Sequence, residues 1–245
     1  MSGPPGSPRT GCRGGPAQSC RNRARPSASD ANNQLPTRQA ALGALSPRSS
    51  LDNRASAVNH WPVTVEAVAA HEAFHHRILE AARTLTEAEQ IAPSACAGWR
   101  VRDVVAHIGA GARNLIDPLP VPDERLPLPS VREREHDVHV DIRRIWPIAE
   151  VIEELDHYGG QRLTRLSALQ SEPLASSPLE VPGLGTYPMH AVANGLAFDC
   201  FCHLYHDIAA PGGPVQRELP PPTHEELHPV VQWMMWGLPQ MQGPE

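Results

Sequence analysis

The sequence predicts an all-α protein: a four-helix bundle with a disordered N-terminal tail and a short C-terminal helix. Apolar residues recur at helical spacing in four long segments between residues 64 and 208. Proline and glycine cluster between these segments, where they end helices. No segment shows the apolar–polar alternation of a half-buried strand. Four helices joined by such loops favour a bundle, in which sites are built from inward-facing side chains.

The first 60 residues differ in composition from the rest of the chain. They are rich in Pro, Gly, Ser and Arg, and they hold eight Arg against Asp30 and Asp52, a net charge of +6. Since such a segment buries too little apolar surface to offset the entropy lost on ordering, residues 1–60 are predicted to be a disordered tail. Residues 61–215 are predicted to form a metal-binding helical bundle, and residues 216–245 a C-terminal extension.

The four main helices are expected over residues 64–89, 100–116, 141–170 and 189–208, with loops at 117–140 and 171–188. The consecutive glycines Gly159 and Gly160 are expected to bend or break the third helix. A shorter helix is expected at 223–238. Thr223 is its predicted N-cap, and Glu226 three residues later completes the pattern of a capping box.

Composition argues against several functional classes. The chain has a net charge of −6, so the residues after the tail carry −12, whereas a nucleic-acid groove needs a basic surface. No apolar run approaches the roughly 18 residues of a membrane span, and the N-terminal residues lack the apolar h-region expected of a secretory signal. The five Cys include no CxxC pair, which favours a reducing cytoplasm. The absence of Lys indicates a GC-rich genome, as in a high-GC bacterium.

The fourth predicted helix carries the most informative polar residues. Asp199 and His203 are four residues apart and share a face, and His206 is expected on that face too. Val192 and Leu196 also lie there, so the polar residues continue a core-facing stripe. A lone buried carboxylate costs several kcal/mol, and a shared cation would offset this cost. The alternative is a pair on the helix surface.

A third ligand is expected from another helix. His107 lies at the edge of the apolar stripe of the second helix and would point into the bundle. Two histidines and one carboxylate leave a coordination position open, as in catalytic zinc sites, and these ligands suit zinc. The predicted ligands are His107, Asp199 and His203, although a histidine at such an edge is also common as an ordinary boundary residue.

A second metal-binding pattern lies in the first helix. Residues His71-Glu72-Ala73-Phe74-His75 match H-E-x-x-H, in which two histidines bind zinc and the glutamate acts as base. The downstream His and Gly of the metzincins do not follow. A zinc peptidase is therefore kept as an alternative only.

Two segments of the chain share a pattern with a known family. Residues 93–107 hold a short Pro/Cys loop, then Gly-Trp, Val-Arg-Asp and Ala-His. Residues 199–213 hold an acid, a histidine four residues later, and then His-Asp-Ile and Pro-Gly-Gly. Over about residues 63–240 the chain resembles the N-terminal metal-binding domain of the mycothiol-dependent maleylpyruvate isomerase family, in the DinB-like superfamily. The resemblance implies a DinB-like four-helix bundle.

The resemblance also implies a site and a chemistry. It assigns His107, Asp199 and His203 as ligands of a divalent metal, with mycothiol as the thiol cofactor. The metal would hold the thiol as thiolate, which would attack a small-molecule electrophile in cis–trans isomerisation or thiol transfer. His206 and Asp207 are the candidate catalytic residues for moving protons, and Asp207 could instead orient a ligand.

Some features depart from the family pattern. Asp199 stands where the isomerases have Glu, and Arg100 replaces the usual Thr or Ser. Few residues follow the predicted last helix before Glu245, so the family's C-terminal domain is expected to be absent, and maleylpyruvate itself is not assigned as the substrate. Because of these departures, a non-enzymatic function remains an alternative. The chain would then be a regulatory bundle that binds a metal or a thiol and contacts a partner through its tail or through the predicted helix of Trp233 and Trp236.

Overall fold

The computed structural model describes residues 61–121, 136–181 and 183–241, and the predicted tail at 1–60 lies outside them. The described part is almost entirely helical, which confirms the predicted fold class. None of its helices is long and apolar enough to cross a lipid bilayer. The elements are α1 (Ala67–Arg83), α2 (Glu87–Ile91), α3 (Val101–Asn114), α4 (Asp137–Arg143), α5 (Ile148–Ala168), β1 (Pro178–Val181), β2 (Gly185–Pro188), a 3₁₀ turn (Met189–Ala191), α6 (Val192–Cys202), a π-helical turn (His203–Ile208) and α7 (His224–Met241).

Helices α1, α3, α5 and α6 form the bundle. The most extensive contacts join α3 to α5 and α1 to α6. The apolar stripes of these helices meet in one main core, where Phe74, Ile78, Leu155 and Leu204 are fully buried. Burying such side chains stabilises the fold by about 1.5–3 kcal/mol each, so the core fixes the helices that carry the polar site.

Three predicted boundaries were wrong. The first predicted helix divides at Thr84, and the capping box of Thr86 with Glu89 starts α2. The predicted third helix is in fact two helices, because its first residues belong to the separate α4. Pro147 lies between α4 and α5 and has no N–H group to donate to a helical hydrogen bond. The predicted loop at 171–188 contains an antiparallel hairpin, in which Pro178 pairs with Pro188. Its four-residue strands are too short for alternation to be recognised.

The C-terminal helix α7 packs against α1 and α6. Its predicted capping box is confirmed: Thr223 N–H donates to Glu226 Oε2 at 2.8 Å, and Glu226 N–H donates to Thr223 Oγ1 at 3.3 Å. Trp236 stacks on Trp61 with ring centroids 4.8 Å apart. Trp233 is also half-buried, so the face expected to dock a partner packs within the chain.

Gly159 does not break the third predicted helix, because α5 runs without interruption through it. A Cβ atom at Gly159 would lie 2.1 Å from Cε1 of His75, whereas a Cβ at Gly160 would meet nothing within 4 Å. The glycine at 159 therefore lets α5 approach the buried His75 ring.

We expect Gly159→Ala to lower the free energy of unfolding by about 1–3 kcal/mol, because the buried ring has to move. Gly160→Ala is the matched control and should raise it by about 0.5–1 kcal/mol through helix propensity alone. Urea denaturation of the two variants measures both values. Equal effects of the two substitutions would contradict the close packing.

Candidate metal centre

The end of α6 changes its helical geometry next to the predicted ligands. Residues His203–Ile208 form a π-helical turn, and Ala209 N–H donates to Leu204 O, five residues earlier, at 3.0 Å. Such turns are rare and occur often at functional sites. Residues after His203 therefore no longer follow the 3.6-residue spacing of α6.

The three predicted metal ligands come together in the structure. Donor atoms of His107 on α3, Asp199 on α6 and His203 on the π-turn all lie within 4.8 Å of one another. His203 Nε2 is 3.4 Å from Asp199 Oδ1, and the rings of His107 and His203 have centroids 4.9 Å apart. The three side chains therefore lie close enough together to share one cation.

Neighbouring side chains fix the two imidazoles. The ring of His107 packs against Trp99, at 5.1 Å between centroids, and against His136, at 4.8 Å. His203 Nδ1 lies 2.7 Å from Oδ2 of the buried Asp207. Nδ1–H donates this hydrogen bond, so Nε2 is the nitrogen that faces Asp199 and could bind a metal once its own proton is lost. Carboxylates orient metal-binding histidines in the same way.

Sequence reasoning missed Cys96 near this centre. Its sulfur lies within 4.8 Å of donor atoms of His203 and Asp207. The backbone joins the same segments, since Ala95 N–H donates to Asp207 O at 3.3 Å. The Pro/Cys loop before α3 is therefore tied to the π-turn.

The shared face predicted for Asp199 and His206 is not found. The His206 side chain is 76% exposed, and its Nε2 lies 3.9 Å from Asp207 Oδ1. The π-turn explains the difference, because its wider spacing rotates His206 away from the bundle. Asp207, the other candidate catalytic residue, faces inward and holds His203.

Electrostatics distinguish the roles of the three predicted ligands. Burial lowers the pKa of His107 to about 3, so its imidazole is neutral and can donate a lone pair. Burial opposes the ionisation of Asp199, but the neighbouring His203, His107 and Arg162 more than offset it and hold its pKa well below the usual value. Asp199 and Asp207 likewise outweigh burial and raise the pKa of His203. In the metal-free protein, the His203 proton thus supplies the positive charge between the two carboxylates.

A cavity of about 390 Å³ opens beside these residues, and His107 and Asp199 line it. Most of the other lining side chains are apolar. They are Ile108, Leu179, Val181, Leu184, Val192, Leu196, Phe198 and Trp233. A groove of about 520 Å³ runs along residues 205–222, but it contains none of the predicted ligands. The cavity at the donor cluster is therefore the candidate binding site.

Sequence reasoning also missed Arg162, which α5 brings to the same cavity. Its side chain is only 2% exposed, so a full positive charge lies inside the bundle. The spacing of Val151, Leu155, Arg162 and Leu166 places the arginine on the buried stripe of α5. A charged residue at such a position was the signal available in the sequence.

The H-E-x-x-H residues do not form a comparable site. His71 and His75 are buried in the bundle, whereas Glu72 is exposed. Among the described residues, no group of three possible metal donors includes either histidine. His71 Nδ1 instead lies 3.6 Å from the sulfur of Cys200. The peptidase pattern is thus not assembled, because its base lies away from the buried histidines.

Comparison with known proteins identifies the family of the chain. The family model for the mycothiol maleylpyruvate isomerase N-terminal domain matches residues 71–209, more than half of the chain. The chain belongs to this family. The search of curated proteins and the search of solved structures found no match. The matched range of the family model includes His107, Asp199, His203 and Asp207.

The buried histidines of α1 predict a pH-dependent stability. Burial, assisted by the charge of Arg162, lowers the pKa of His75 from 6.5 to about 4. The unfolded chain therefore gains a proton near pH 6.5, whereas the folded protein does not until about pH 4. The free energy of unfolding should fall by about 3 kcal/mol from this group as pH drops through that window.

Urea denaturation between pH 7 and pH 4 measures this dependence. His75→Gln removes the titrating group and should flatten the pH profile, whereas His157→Gln, at an exposed position on α5, should not. A His75→Gln profile as steep as that of the wild type would refute the assignment.

Proposed function

We propose that this chain is a zinc-dependent enzyme that uses mycothiol on a small electrophilic substrate, by thiol-assisted cis–trans isomerisation or by thiol transfer. The observation that carries the proposal is the convergence of His107, Asp199 and His203 beside a mostly apolar cavity, which His107 and Asp199 line. Membership of the mycothiol maleylpyruvate isomerase N-terminal domain family supports the choice of thiol.

The donor set fits a catalytic zinc ion. Two imidazole nitrogens and one carboxylate oxygen, from His107, His203 and Asp199, match the three-ligand sites that leave a position for a further ligand. When bound, zinc would supply a positive charge that favours the thiolate form of a thiol at that position. Metal binding must displace the proton of His203, so we expect the affinity for zinc to rise with pH.

The surrounding side chains prepare the site for this chemistry. Asp207 holds the Nδ1 proton of His203 and so directs Nε2 towards the other two donors. His107 and Asp199 face the cavity, where a small electrophile has access to the same space. The mostly apolar lining of the cavity lowers the local dielectric, which strengthens charge interactions with the reacting thiol.

The same geometry favours an enzyme over a regulatory bundle that acts through a partner. A cavity of about 390 Å³ beside the donors suits a small molecule. The tryptophans proposed as a docking surface, Trp233 and Trp236, pack against Tyr187 and Trp61.

We expect the zinc-loaded protein to bind mycothiol at least about tenfold more tightly than the metal-free protein, because only the former stabilises the thiolate. Titration calorimetry measures both affinities. Asp199→Asn should remove the difference, and His206→Ala, whose side chain is exposed, should keep it. A fully zinc-loaded protein that binds no mycothiol would overturn the thiol chemistry. Turnover of a panel of electrophiles then separates an enzyme from a binding protein.

A further inference from the structure

Helix α7 has an apolar face besides the one that packs on the bundle. Its buried residues include Val230 and Gly237, with Trp233 half-buried between them. A second row of apolar side chains follows the helix at alternating spacings of four and three residues: Leu227, Val231, Met234, Leu238 and Met241. We call these five residues the α7 stripe. The last four are 44–57% exposed, whereas the outer face of a helix in a monomer is usually polar.

The spacing of the α7 stripe indicates which kind of surface it fits. Apolar residues separated alternately by four and three positions are the a and d positions of helices that pair along their length. Within the chain, α7 is held by other residues: Glu226 pairs with Arg77 of α1 at 2.7 Å, and the Trp233 ring stacks on Tyr187 of β2. The stripe is left facing solvent, so the surface that matches it is a second helix with the same spacing.

The charge distribution along α7 suits a second copy of the same helix. Residues 229–241 contain no charged side chain, so two copies of the stripe can face each other without repulsion between like charges. The acidic residues of the helix, Glu225 and Glu226, lie in its first turn. In an antiparallel pair, these carboxylates lie beside the uncharged end of the other copy, and the two helix dipoles oppose each other favourably. A parallel pair would bring four carboxylates together.

The exposed area is sufficient for a small dimer interface. Together with the adjacent Met235, which is 66% exposed, the stripe leaves on the order of 500 Å² of apolar surface in water, a size at which patches on monomers are often functional. Two copies would bury about 1,000 Å² in total, the lower limit of a specific interface. Because methionine side chains are flexible, Met234, Met235 and Met241 can adapt to the facing copy.

We propose that the α7 stripe is the interface of a homodimer, in which α7 of one copy pairs antiparallel with α7 of a second copy around a two-fold axis. Such an axis requires only one face, because both copies contribute the same surface. The inference is independent of the proposed chemistry. It has a consequence for the site, since Trp233 of the same helix lines the cavity beside the metal centre. Pairing of the helices would hold this wall of each cavity in place.

Sedimentation velocity of the full chain between about 5 and 500 µM measures the association. We expect a monomer–dimer equilibrium with a dissociation constant of roughly 10–100 µM, as for other interfaces at the lower size limit. Met234→Glu and Leu238→Glu should each weaken it at least about tenfold, because an unpaired charge would be buried between the helices. Ile91→Glu replaces a 63% exposed residue on α2 and is the matched control that should not. A wild type that stays monomeric at about 500 µM, or an unchanged dissociation constant in both α7 variants, would overturn the proposal.

A charge-exchange experiment tests the antiparallel arrangement. Val231 of one copy would lie opposite the end of the stripe that carries Leu238 in the other copy. Val231→Glu and Leu238→Lys should therefore each be monomeric alone at about 100 µM, whereas an equimolar mixture should dimerise, because the new carboxylate and ammonium groups pair across the interface. A mixture that stays monomeric would refute the antiparallel pairing.

Thermal melting at about 5 µM shows that the substitutions leave the monomer folded. The stripe residues are exposed in the single chain, so we expect Val231→Glu and Leu238→Lys to melt within a few degrees of the wild type. A large loss of thermal stability at this concentration would mean that the stripe packs within its own chain, and it would contradict the proposed interface.

Discussion

The ion pair between Asp199 and His203 organises the centre. Asp199 Oδ1 lies 3.4 Å from His203 Nε2 at the wall of a cavity within the helical bundle, where the Asp199 side chain is 41% exposed. His203 supplies a neighbouring positive charge in the metal-free protein, and Asp207 holds that imidazole from the opposite side. Replacing the His203 proton by a divalent cation would satisfy the same carboxylate and recruit the neutral imidazole of His107. The need of the Asp199 carboxylate for a neighbouring positive charge thus links the fold of the bundle to its proposed chemistry.

The bundle holds other polar groups without internal partners. Nε2 of His71, Nδ1 of His75 and two nitrogens of Arg162 are buried and unpaired among the described residues. Each lowers stability relative to an apolar residue of similar size. The apolar core between α1, α3, α5 and α6 compensates for this cost. Among these three residues, Arg162 lines the cavity at the candidate metal centre.

The sequence predicted those features that depend on local spacing and short-range hydrogen bonds. The i, i+4 spacing of Asp199 and His203 and the capping box of Thr223 required only the geometry of one helix. His107 could be paired with them because an apolar stripe shows which face of α3 enters the bundle. The family pattern around these residues led to the same three positions.

Features that depend on tertiary contacts could not be predicted in this way. The position of His206 was wrong because nothing in the sequence marks the π-turn at which the helical spacing changes. Gly159 suggested a break, since its close contact with His75 is visible only once α1 packs on α5. Arg162 was overlooked because apolar residues alone were considered for the buried stripe of this helix, although the burial of Val151 and Leu155 shows that Arg162 lies on it.

The zinc content of protein purified without a metal-affinity tag tests the proposed metal centre. Mass spectrometry would compare the wild type with His203→Ala, and with His206→Ala as the matched control three residues away. We predict about one zinc per chain in the wild type and in His206→Ala, and a loss of at least about tenfold in zinc affinity in His203→Ala. Zinc retained in full by His203→Ala, or absent from the wild type after incubation with zinc, would contradict the central claim.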